Sequence, residues 1–407
     1  MNARPSILFV LTTPDYAGGT ERSTFLVASL LAQLSNFDVG ILGIYQHNDA
    51  PFFADDVSVN IDYLIDARSG MPPGELSRFV DRAWEPVLTA KVDMLIAEYL
   101  ADRAPDIIIA TTPALLALVI QTAHARSKIL AAEHRYTRQR GRTAEPLRLY
   151  GALADALVSL IEDGDQWFQE TLGSDCPQVA VIPNPLPDDF APRSSLQNPM
   201  VLAAGRMVLS KGFHKVISTF AEARQPGWRL RIFGDGPQMK TLGQLIVKLH
   251  LQNDVDLVKP IPDLSLELSK ASIVLMASDA EGQPLVAMEA LRAGVPVVSY
   301  DSPGGLRSVI TDGEDGLVVP MDDQVALARS LSQLMLDFDF RQQMGQKAWR
   351  NRLKFEPALV AQKWMALIDS LLSNPSPPRR LSRTLPAEVG QRKMKHFAAI
   401  EAGGLLL

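Results

Sequence analysis

Short apolar runs alternate with longer amphipathic stretches along the first half of the chain. The runs are rich in Val, Ile and Leu, which is typical of strands buried on both faces. The stretches between them repeat apolar residues every three or four positions, and the first of these predicts a helix over residues 21–34. This alternation predicts a parallel sheet covered by helices. The predicted strands are residues 7–11, 39–44, 107–110, 128–132, 156–160 and 179–182.

A proline-rich segment interrupts this pattern. Pro183, Pro185 and Pro187 fall within five residues and cannot continue a helix or a central strand, so we place the domain junction there. A second series of strands is then predicted at 200–204, 228–233, 255–258, 273–277, 295–298 and 316–319, with helices at 213–223, 239–250, 284–293, 324–336 and 358–372. The resulting division is residues 1–185, residues 186–355, a C-terminal helix over 356–372, and a basic tail over 373–407 that we expect to be disordered.

Composition narrows the class of protein. A chain of 407 residues with 47% apolar and 21% charged residues is typical of a globular protein with more than one core. The net charge of −6 does not favour nucleic-acid binding, and the single cysteine, Cys176, excludes a disulfide framework and fits a reducing compartment. Residues 107–123 are uncharged but contain Thr111, Thr112 and Pro113, which favour a strand, a turn and a core helix over a membrane span. We therefore expect a cytoplasmic protein.

Two carboxylates stand out in the second series. Glu281 and Glu289 lie eight residues apart, and Pro284 between them is predicted to open a helix. Along an ideal helix that separation is about 12 Å, comparable to the distance between the two sugar rings of a sugar nucleotide. Each carboxylate can accept hydroxyl protons from a different ring. Strand, acidic loop, helix and strand is also the layout of a nucleotide pocket in an open α/β sheet.

A loop with two cations follows the first strand of the second series. Arg206 and Lys211, within the segment Gly205–Gly212, precede a predicted helix and could together hold a diphosphate. The alternative is a surface loop with two ordinary cations. The turn Gly234-Asp235-Gly236-Pro237 lacks the spacing of a dinucleotide fingerprint, and we interpret it as mainly structural.

The first series offers further candidates. Gly18 and Gly19 lie between the first strand and helix, where open α/β sheets bind ligands, although a structural turn is an equal alternative. His134 follows a strand and could donate to a sugar hydroxyl or tune a proton transfer. It opens a basic stretch that is either a solvated face or a contact for an anionic acceptor or membrane. The basic residues of this stretch are Arg135, Arg138, Arg140, Arg142 and Arg148.

No metal site is expected from the sequence. The six histidines show no ligand spacing. The Asp-x-Asp pairs Asp254/Asp256 and Asp337/Asp339 fall at the start of a predicted strand and at the end of a predicted helix, which favours chance matches over a metal-diphosphate site. No Ser or Cys nucleophile motif is present, because no G-x-S-x-G occurs and Cys176 lacks a basic environment.

Several of these motifs, in this order, resemble the retaining glycosyltransferases of family 4 from residue 7 to about residue 372. Within the family, Asp301–Pro320 and Glu133-His134 resemble most the branch that builds bacterial surface polysaccharides from uridine-linked sugars. The motifs that carry the resemblance are Gly18-Gly19-Thr20-Glu21-Arg22, Glu133-His134, Val181-Ile182-Pro183-Asn184-Pro185, Gly205-Arg206, Lys211-Gly212, Gly234-Asp235-Gly236-Pro237, Glu281 to Glu289, and Gly313-Glu314-Asp315-Gly316-Leu317-Val318-Val319-Pro320.

The resemblance implies the GT-B fold, in which two Rossmann-like domains with parallel sheets face each other across a cleft and a C-terminal helix crosses back. It implies transfer with retention, without a protein nucleophile or a bound metal, the leaving phosphate oxygen taking the proton of the acceptor. The catalytic set would be Glu281, at the donor sugar, His134 near it, and Arg206 and Lys211 at the diphosphate. The donor-binding set would be Glu289, at the ribose, with Gln283, Pro284, Leu285, Gly205, Gly18 and Gly19.

Two residues depart from the family pattern. Gln283 stands where an aromatic residue is frequent, and Ser308 where a glutamate is frequent after Pro303-Gly304-Gly305. These departures concern the identity of the donor and the contacts of its base or ribose.

The leading hypothesis is transfer of a sugar, from a uridine-linked donor, to a lipid-linked or polysaccharide acceptor. Peripheral contact with the anionic inner face of the membrane is a further hypothesis, based on the basic stretch and the basic tail. One alternative keeps the chemistry and takes a small soluble natural product as acceptor. Another is a non-catalytic protein that binds sugar nucleotides. A NAD-dependent epimerase or dehydrogenase is disfavoured because the fingerprint is missing.

Overall fold

The computed structural model describes residues 4–187 and 191–373, which divide into two compact units. The first unit takes in described residues 4–16, 20–182 and 361–373, and the second takes in 17–19, 183–187 and 191–360. The tail that the sequence predicts to be disordered lies outside the described residues. Each unit is built on one parallel sheet with helices in the connections, as the alternating pattern predicts.

The first unit has a seven-stranded sheet in the order β3-β2-β1-β4-β5-β6-β7. All six predicted strands are present, and β3 was missed because it is an edge strand whose residues are mostly half-buried and include Asp62 and Asp66. The strands are β1 (Ser6–Leu11), β2 (Asp38–Gln46), β3 (Ile61–Asp66), β4 (Ile107–Ala110), β5 (Lys128–Glu133), β6 (Ala156–Ser159) and β7 (Gln178–Val181).

Helices in the connections of this unit bury its core. The uncharged segment that could have been mistaken for a membrane span is β4, a short turn and α3, all buried, so the prediction of a core segment is confirmed. Among the described residues, no helix combines the length and low polarity that crossing a membrane requires. The helices are α1 (Gly19–Leu34), α2 (Ala90–Arg103), α3 (Pro113–Thr122), α4 (Glu145–Tyr150) and α5 (Glu162–Leu172).

The second unit has a six-stranded sheet in the order β10-β9-β8-β11-β12-β13, the strand order of a Rossmann sheet. Strand β12 begins two residues later than predicted, because residues 295 and 296 belong to the connection that precedes it. The strands are β8 (Met200–Ala204), β9 (Arg229–Phe233), β10 (Val255–Val258), β11 (Ile273–Met276), β12 (Val297–Tyr300) and β13 (Gly316–Val319).

Three helices of the second unit were not predicted, two of four residues at Ser265–Leu268 and Leu306–Val309 and a long one, α12, at Phe338–Asn351. Helix α12 buries only Arg341, Met344, Gly345 and Ala348, so its buried face does not appear as an apolar stripe in the sequence. The helices are α6 (Phe213–Ala223), α7 (Met239–Lys248), α8 (Ser265–Leu268), α9 (Leu285–Ala293), α10 (Leu306–Val309), α11 (Gln324–Leu336) and α12 (Phe338–Asn351), and α13 (Pro357–Ser373) follows. From Ala361 onward α13 groups with the first unit, where Trp364 meets Phe9 edge-on at 6.3 Å between ring centroids.

Candidate functional site

The topological switch point of the second sheet lies between β8 and β11, which pair with each other in parallel. Beyond their carboxyl ends follow the loop with Arg206 and Lys211 and the loop that leads to Glu281. This is the position at which open α/β sheets bind ligands. The two segments that the sequence singled out separately are therefore brought together by the order of the strands.

Lys211 and Glu281 form a two-pronged ion pair at this point. The lysine Nζ lies 2.6 Å from Glu281 Oε1 and 2.8 Å from Oε2, and the two side chains are 28% and 10% exposed. The two loops that carry these residues also approach each other closely, since the backbone N–H of Asp279 donates to the Ser210 carbonyl at 2.9 Å. The sequence placed both residues in one site but did not predict that they neutralise each other.

Gly212 makes this approach feasible. Its φ is +64°, a left-handed conformation, and a Cβ there would lie 2.0 Å from the carbonyl oxygen of Ala277. Both the conformation and the contact exclude a side chain. The loop after β8 is thus held against the loop after β11, and Lys211 is placed at its end.

The backbone of Glu281 is held by the glycine-rich loop after β12. Its N–H donates to the Pro303 carbonyl at 3.1 Å, and its carbonyl accepts from the Gly305 N–H at 2.8 Å. A Cβ on Gly305 would lie 1.8 Å from the Gly282 carbonyl oxygen, so this position also needs glycine. The sequence noted this loop only for Ser308, whose hydroxyl donates locally to the Gly305 carbonyl at 2.7 Å.

Gln283 has a structural partner. Its Oε1 accepts the backbone N–H of Asn184 at 2.7 Å, and both residues are buried. This bond fixes the proline-rich segment after Ile182 to the loop that precedes α9. The donor group of the amide, Nε2, makes no hydrogen bond within the described residues.

Glu289 lies on α9, but the spacing argument from the sequence was wrong. The helix begins at Leu285 with Pro284 as its cap residue, so residues 281–284 are a loop and the rise of an ideal helix does not apply across the segment. Glu289 is only 3% exposed and faces the interior of the unit. No side chain caps the start of α9, which leaves the first backbone N–H groups, at Leu285 and Val286, directed towards the loop.

Arg206 is exposed and forms no ion pair within the described part of the chain. Gly205 beside it has a φ of +147°, and its carbonyl would be 2.0 Å from a Cβ on Gly234. The Met207 N–H donates to the Asp235 carbonyl at 2.6 Å, so the Gly-Asp-Gly-Pro turn packs on the loop of Arg206. These contacts account for that turn structurally.

In the first unit, His134 follows β5 and lies beside α1. Its Nδ1 is 3.1 Å from the Ser23 hydroxyl, which also lies 3.1 Å from the Thr20 carbonyl. The single hydroxyl proton of Ser23 can serve either the Thr20 carbonyl or Nδ1, so the tautomer of the imidazole depends on which of the two accepts it. Burial, and then Arg140, lower the pKa of His134 to about 4, so the ring is neutral at physiological pH.

Two of the five arginines of the basic stretch after His134 are paired with carboxylates. Arg138 pairs with Asp163 at 3.0 Å and with Glu170 at 2.9 Å, and Arg140 pairs with Glu133. Arg148 lies over the ring of Trp167, 5.4 Å from its centroid. These partners weaken the prediction of a basic face for an anionic acceptor or membrane.

Gly18 and Gly19 lie at the junction of β1 and α1, and Gly19 is the first residue of the helix. Neither has a positive φ, so the backbone conformation does not itself require glycine.

The Asp-x-Asp pairs have other partners. Asp254 pairs with Arg224, and Asp256 with Arg229 at 3.1 Å. Asp337 lies at the end of α11 as its C-cap residue, as predicted, and it also caps the next helix, α12, by accepting the Phe340 N–H at 2.9 Å. Within residues 4–187 and 191–373, no three His, Cys, Asp or Glu side chains are grouped to hold a metal ion.

A family model matches the part of the chain that contains the candidate site. Residues 187–351 match the family model described as glycosyl transferases group 1. We refer to residues 187–351, which are similar to this family, as the group 1 domain. The group 1 domain contains the loop of Arg206 and Lys211, the loop of Glu281, and α9 with Glu289.

Two relatives extend the likeness beyond the group 1 domain. An exopolysaccharide phosphotransferase of Streptomyces coelicolor is 37% identical over 396 residues, which is 92% of this chain but only 42% of that protein. The amylovoran biosynthesis glycosyltransferase AmsD of Erwinia amylovora is 25% identical over 379 residues, covering 89% of this chain and 99% of AmsD. The chain is thus similar to AmsD along almost its whole length and to less than half of the Streptomyces protein.

Solved structures confirm the fold. The pneumococcal O-GlcNAc transferase GtfA, in complex with UDP and GlcNAc, aligns with a TM-score of 0.76 over 91% of this chain and 100% of that one, at 14% identity. The predicted GT-B fold, with two parallel-sheet Rossmann-like domains, is therefore confirmed.

Proposed function

We propose that the chain is a retaining glycosyltransferase that moves a sugar from a uridine diphosphate donor to a lipid-linked or polysaccharide acceptor. The observation that carries the proposal is the cluster at the switch point of the group 1 domain, where Lys211, Glu281 and the start of α9 come together. The names of the Streptomyces and Erwinia relatives, which refer to exopolysaccharide and amylovoran, support a saccharide acceptor.

The diphosphate would be held by cations and by backbone N–H groups. Arg206 is exposed and unpaired in the described chain, so its planar guanidinium is available for two phosphate oxygens. Lys211 adds a compact charge, and the uncapped start of α9 adds N–H donors with partial positive charge. These groups would stabilise the negative charge that grows on the leaving phosphate.

The sugar rings would be held by the two glutamates. Glu281 would accept hydroxyl protons from the donor sugar and Glu289 from the ribose. Gln283 would offer its Nε2 to the donor, while its Oε1 accepts a hydrogen bond from Asn184. Gly205, Pro284 and Leu285 would shape the same wall. As the resemblance implies, Gly18 and Gly19 would also contact the donor, and His134 would contact its sugar. The neutral imidazole of His134 would form a hydrogen bond to a sugar hydroxyl.

The proposed step needs no protein nucleophile. The bond between the anomeric carbon and the phosphate oxygen breaks while the acceptor oxygen bonds to that carbon from the same face. The acceptor's proton passes to the departing phosphate oxygen, so UDP leaves and the anomeric configuration is retained. No metal ion is included in the proposal.

A second candidate comes from the Streptomyces relative, whose name is that of a phosphotransferase. Transfer of a sugar phosphate would break the bond between the two phosphates of the donor and release UMP. We favour glycosyl transfer because the group 1 domain contains the cluster, and because this chain covers only 42% of that relative.

The test is a binding and turnover series with uridine-, guanosine- and adenosine-linked sugars. We expect one uridine-linked sugar to bind and Arg206→Gln to weaken that binding roughly ten- to a hundred-fold, as loss of a charge-assisted hydrogen bond to phosphate would do. Arg142→Gln, which removes an exposed arginine from the first unit, is the matched control and should bind normally.

The released nucleotide distinguishes the two candidates. UDP and a product with the donor's anomeric configuration would support retaining glycosyl transfer, and UMP would support the phosphotransferase. An inverted product would contradict retention alone. The absence of binding by all three classes of nucleotide sugar would refute the proposed function.

A further inference from the structure

A second cationic cluster lies in the second unit, away from the loops of the candidate site. Three guanidinium groups surround the ring of Trp349: the Arg352 Cζ is 3.6 Å from the ring centroid, Arg292 is 5.3 Å and Arg193 is 5.9 Å away. Leu353 and Lys354 follow in the chain and are exposed, Leu353 to 54%. We call Arg193, Arg292, Trp349, Arg352, Leu353 and Lys354 the Trp349 patch.

The patch lies at the opposite end of α9 from the candidate site. Arg292 is in the last turn of α9, and Arg193 packs across Gly294, which ends the helix with a φ of +67°. The helix has nine residues and is therefore about 13 Å long. Since the start of α9 faces the loop of Glu281, the patch is not an extension of the proposed donor site.

Folding explains part of this cluster. The carbonyl end of a helix carries partial negative charge, which favours Arg193 and Arg292 at the end of α9. The Nη1 of Arg352 donates to the Trp349 carbonyl at 2.5 Å, which orders the turn after α12. These contacts position the three arginines, but the carbonyl groups involved carry only partial negative charge and do not balance the full positive charges.

Arg193 and Arg352 carry two positive charges, and few negative side chains lie beside them in the described part of the chain. Their one ion pair in that part of the chain is a 3.7 Å contact between Arg352 Nε and Glu356. That Nε is buried and has no hydrogen-bond acceptor among the described residues. Burial lowers the pKa of Arg352, Glu356 opposes the shift, and the neighbouring positive charges of Arg292 and Arg193 add to it.

The surroundings of these cations indicate the kind of partner. A half-buried tryptophan, an exposed leucine and several basic side chains are the combination that proteins place at the interface of a membrane with water. Tryptophan and leucine favour the boundary with the acyl chains, and arginine and lysine bind phosphate headgroups. A site for one small anion would not need the exposed apolar residue.

We propose that the Trp349 patch is a docking surface for an anionic lipid bilayer. It replaces the basic stretch after His134 as the membrane contact, because Arg138 and Arg140 of that stretch are occupied by carboxylates. The proposal does not rest on the proposed transferase activity, since binding to vesicles is measured without a donor.

The experiment is co-sedimentation of the full chain with vesicles of phosphatidylcholine alone or with about one third phosphatidylglycerol, at about 0.1 M salt. We expect binding to the anionic vesicles only. The variant Arg193→Gln/Lys354→Gln should bind about 25-fold more weakly, from about five-fold for each charge near an anionic surface. The matched variant Arg126→Gln/Arg142→Gln removes two exposed cations from the first unit and should bind as the parent does.

A second measurement locates the contact independently of the charge variants. Lipids brominated on the acyl chain quench tryptophan at short range, and the chain has five tryptophans. We expect partial quenching by anionic brominated vesicles that is lost in Trp349→Phe.

Several results would overturn the proposal. These are a lack of binding to anionic vesicles, equal binding by the patch variant and the parent, or a loss confined to the first-unit variant. Binding of the patch to a soluble acidic peptide but not to vesicles would overturn it in favour of a protein partner.

Discussion

The ion pair between Lys211 and Glu281 predicts an unusual effect of Glu281→Gln on the binding of UDP. In the ligand-free structure the lysine is held by both carboxylate oxygens at 2.6 and 2.8 Å, so a diphosphate has to compete with Glu281 for it. Glutamine keeps the shape of the side chain and removes its charge. We therefore expect Glu281→Gln to bind UDP more tightly while transferring sugar more slowly.

The magnitude follows from the exposure of the pair. Two unit charges about 4 Å apart interact by about 4 kcal/mol at an effective dielectric constant near 20. Lys211 is 28% exposed, so water screens much of this and the side chains lose freedom in pairing. A net gain of about 1 kcal/mol remains, which corresponds to about five-fold tighter binding of UDP.

The opposite substitution should have the opposite effect. Lys211→Met removes a charge-assisted hydrogen bond to the diphosphate and should weaken UDP binding roughly ten- to a hundred-fold. It also leaves Glu281, whose side chain is 10% exposed, without its counter-charge, so the free energy of unfolding should fall by a few kcal/mol, less than the ~3–5 kcal/mol of a fully buried pair.

The assay is isothermal titration calorimetry with UDP at low and high salt. Glu98→Gln is the matched control, because it removes the same formal charge from an exposed helical position in the first unit. Unchanged or weaker UDP binding by Glu281→Gln would refute the idea that the carboxylate competes for Lys211. Tighter binding in Glu98→Gln as well would show that only net charge matters.

Two further predictions concern stability. Because folding lowers the pKa of His134 from 6.5 to about 4, the unfolded chain binds the extra proton between these values, and the free energy of unfolding should fall by up to about 3 kcal/mol as the pH drops from 6.5 to 4. His134→Gln should flatten that slope in urea titrations, and an identical slope would contradict the assignment. Gly212→Ala should cost more than about 3 kcal/mol, whereas Gly313→Ala, also left-handed but with open space around it, should cost about 1–2 kcal/mol; similar thermal midpoints for both would rule out the steric argument.

The architecture was predictable because its signals are local. Buried parallel strands leave apolar runs such as residues 107–110, and the order of strands and helices then implies the sheet. The missed elements lack that signal: β3 lies at a sheet edge, and α12 buries an arginine in place of an apolar residue. Arg341 satisfies its guanidinium with the carbonyls of Leu196, Leu334 and Met335, contacts that only the folded chain brings together.

The candidate site was predictable in its members but not in its pairings. Spacing located Lys211, Glu281 and Glu289 near one end of the sheet, yet it could not show that Glu281 binds Lys211 or that Gln283 binds Asn184. These contacts join residues 70 and 99 positions apart, and their geometry depends on close backbone approaches. The ion pairs of the basic stretch could not be predicted for the same reason, because carboxylate partners such as Glu170 lie on another element.

The ion pair also gives the site a way to recognise two chemical features at once. A free phosphate or UDP can satisfy Lys211 but leaves a nearly buried Glu281 without a partner, and a free sugar leaves Lys211 without its anion. Only a molecule that carries an anion and hydroxyl donors in one frame replaces both halves of the pair. The site would therefore discriminate against the abundant fragments of its own substrate, because neither fragment alone compensates both charges of the Lys211–Glu281 pair.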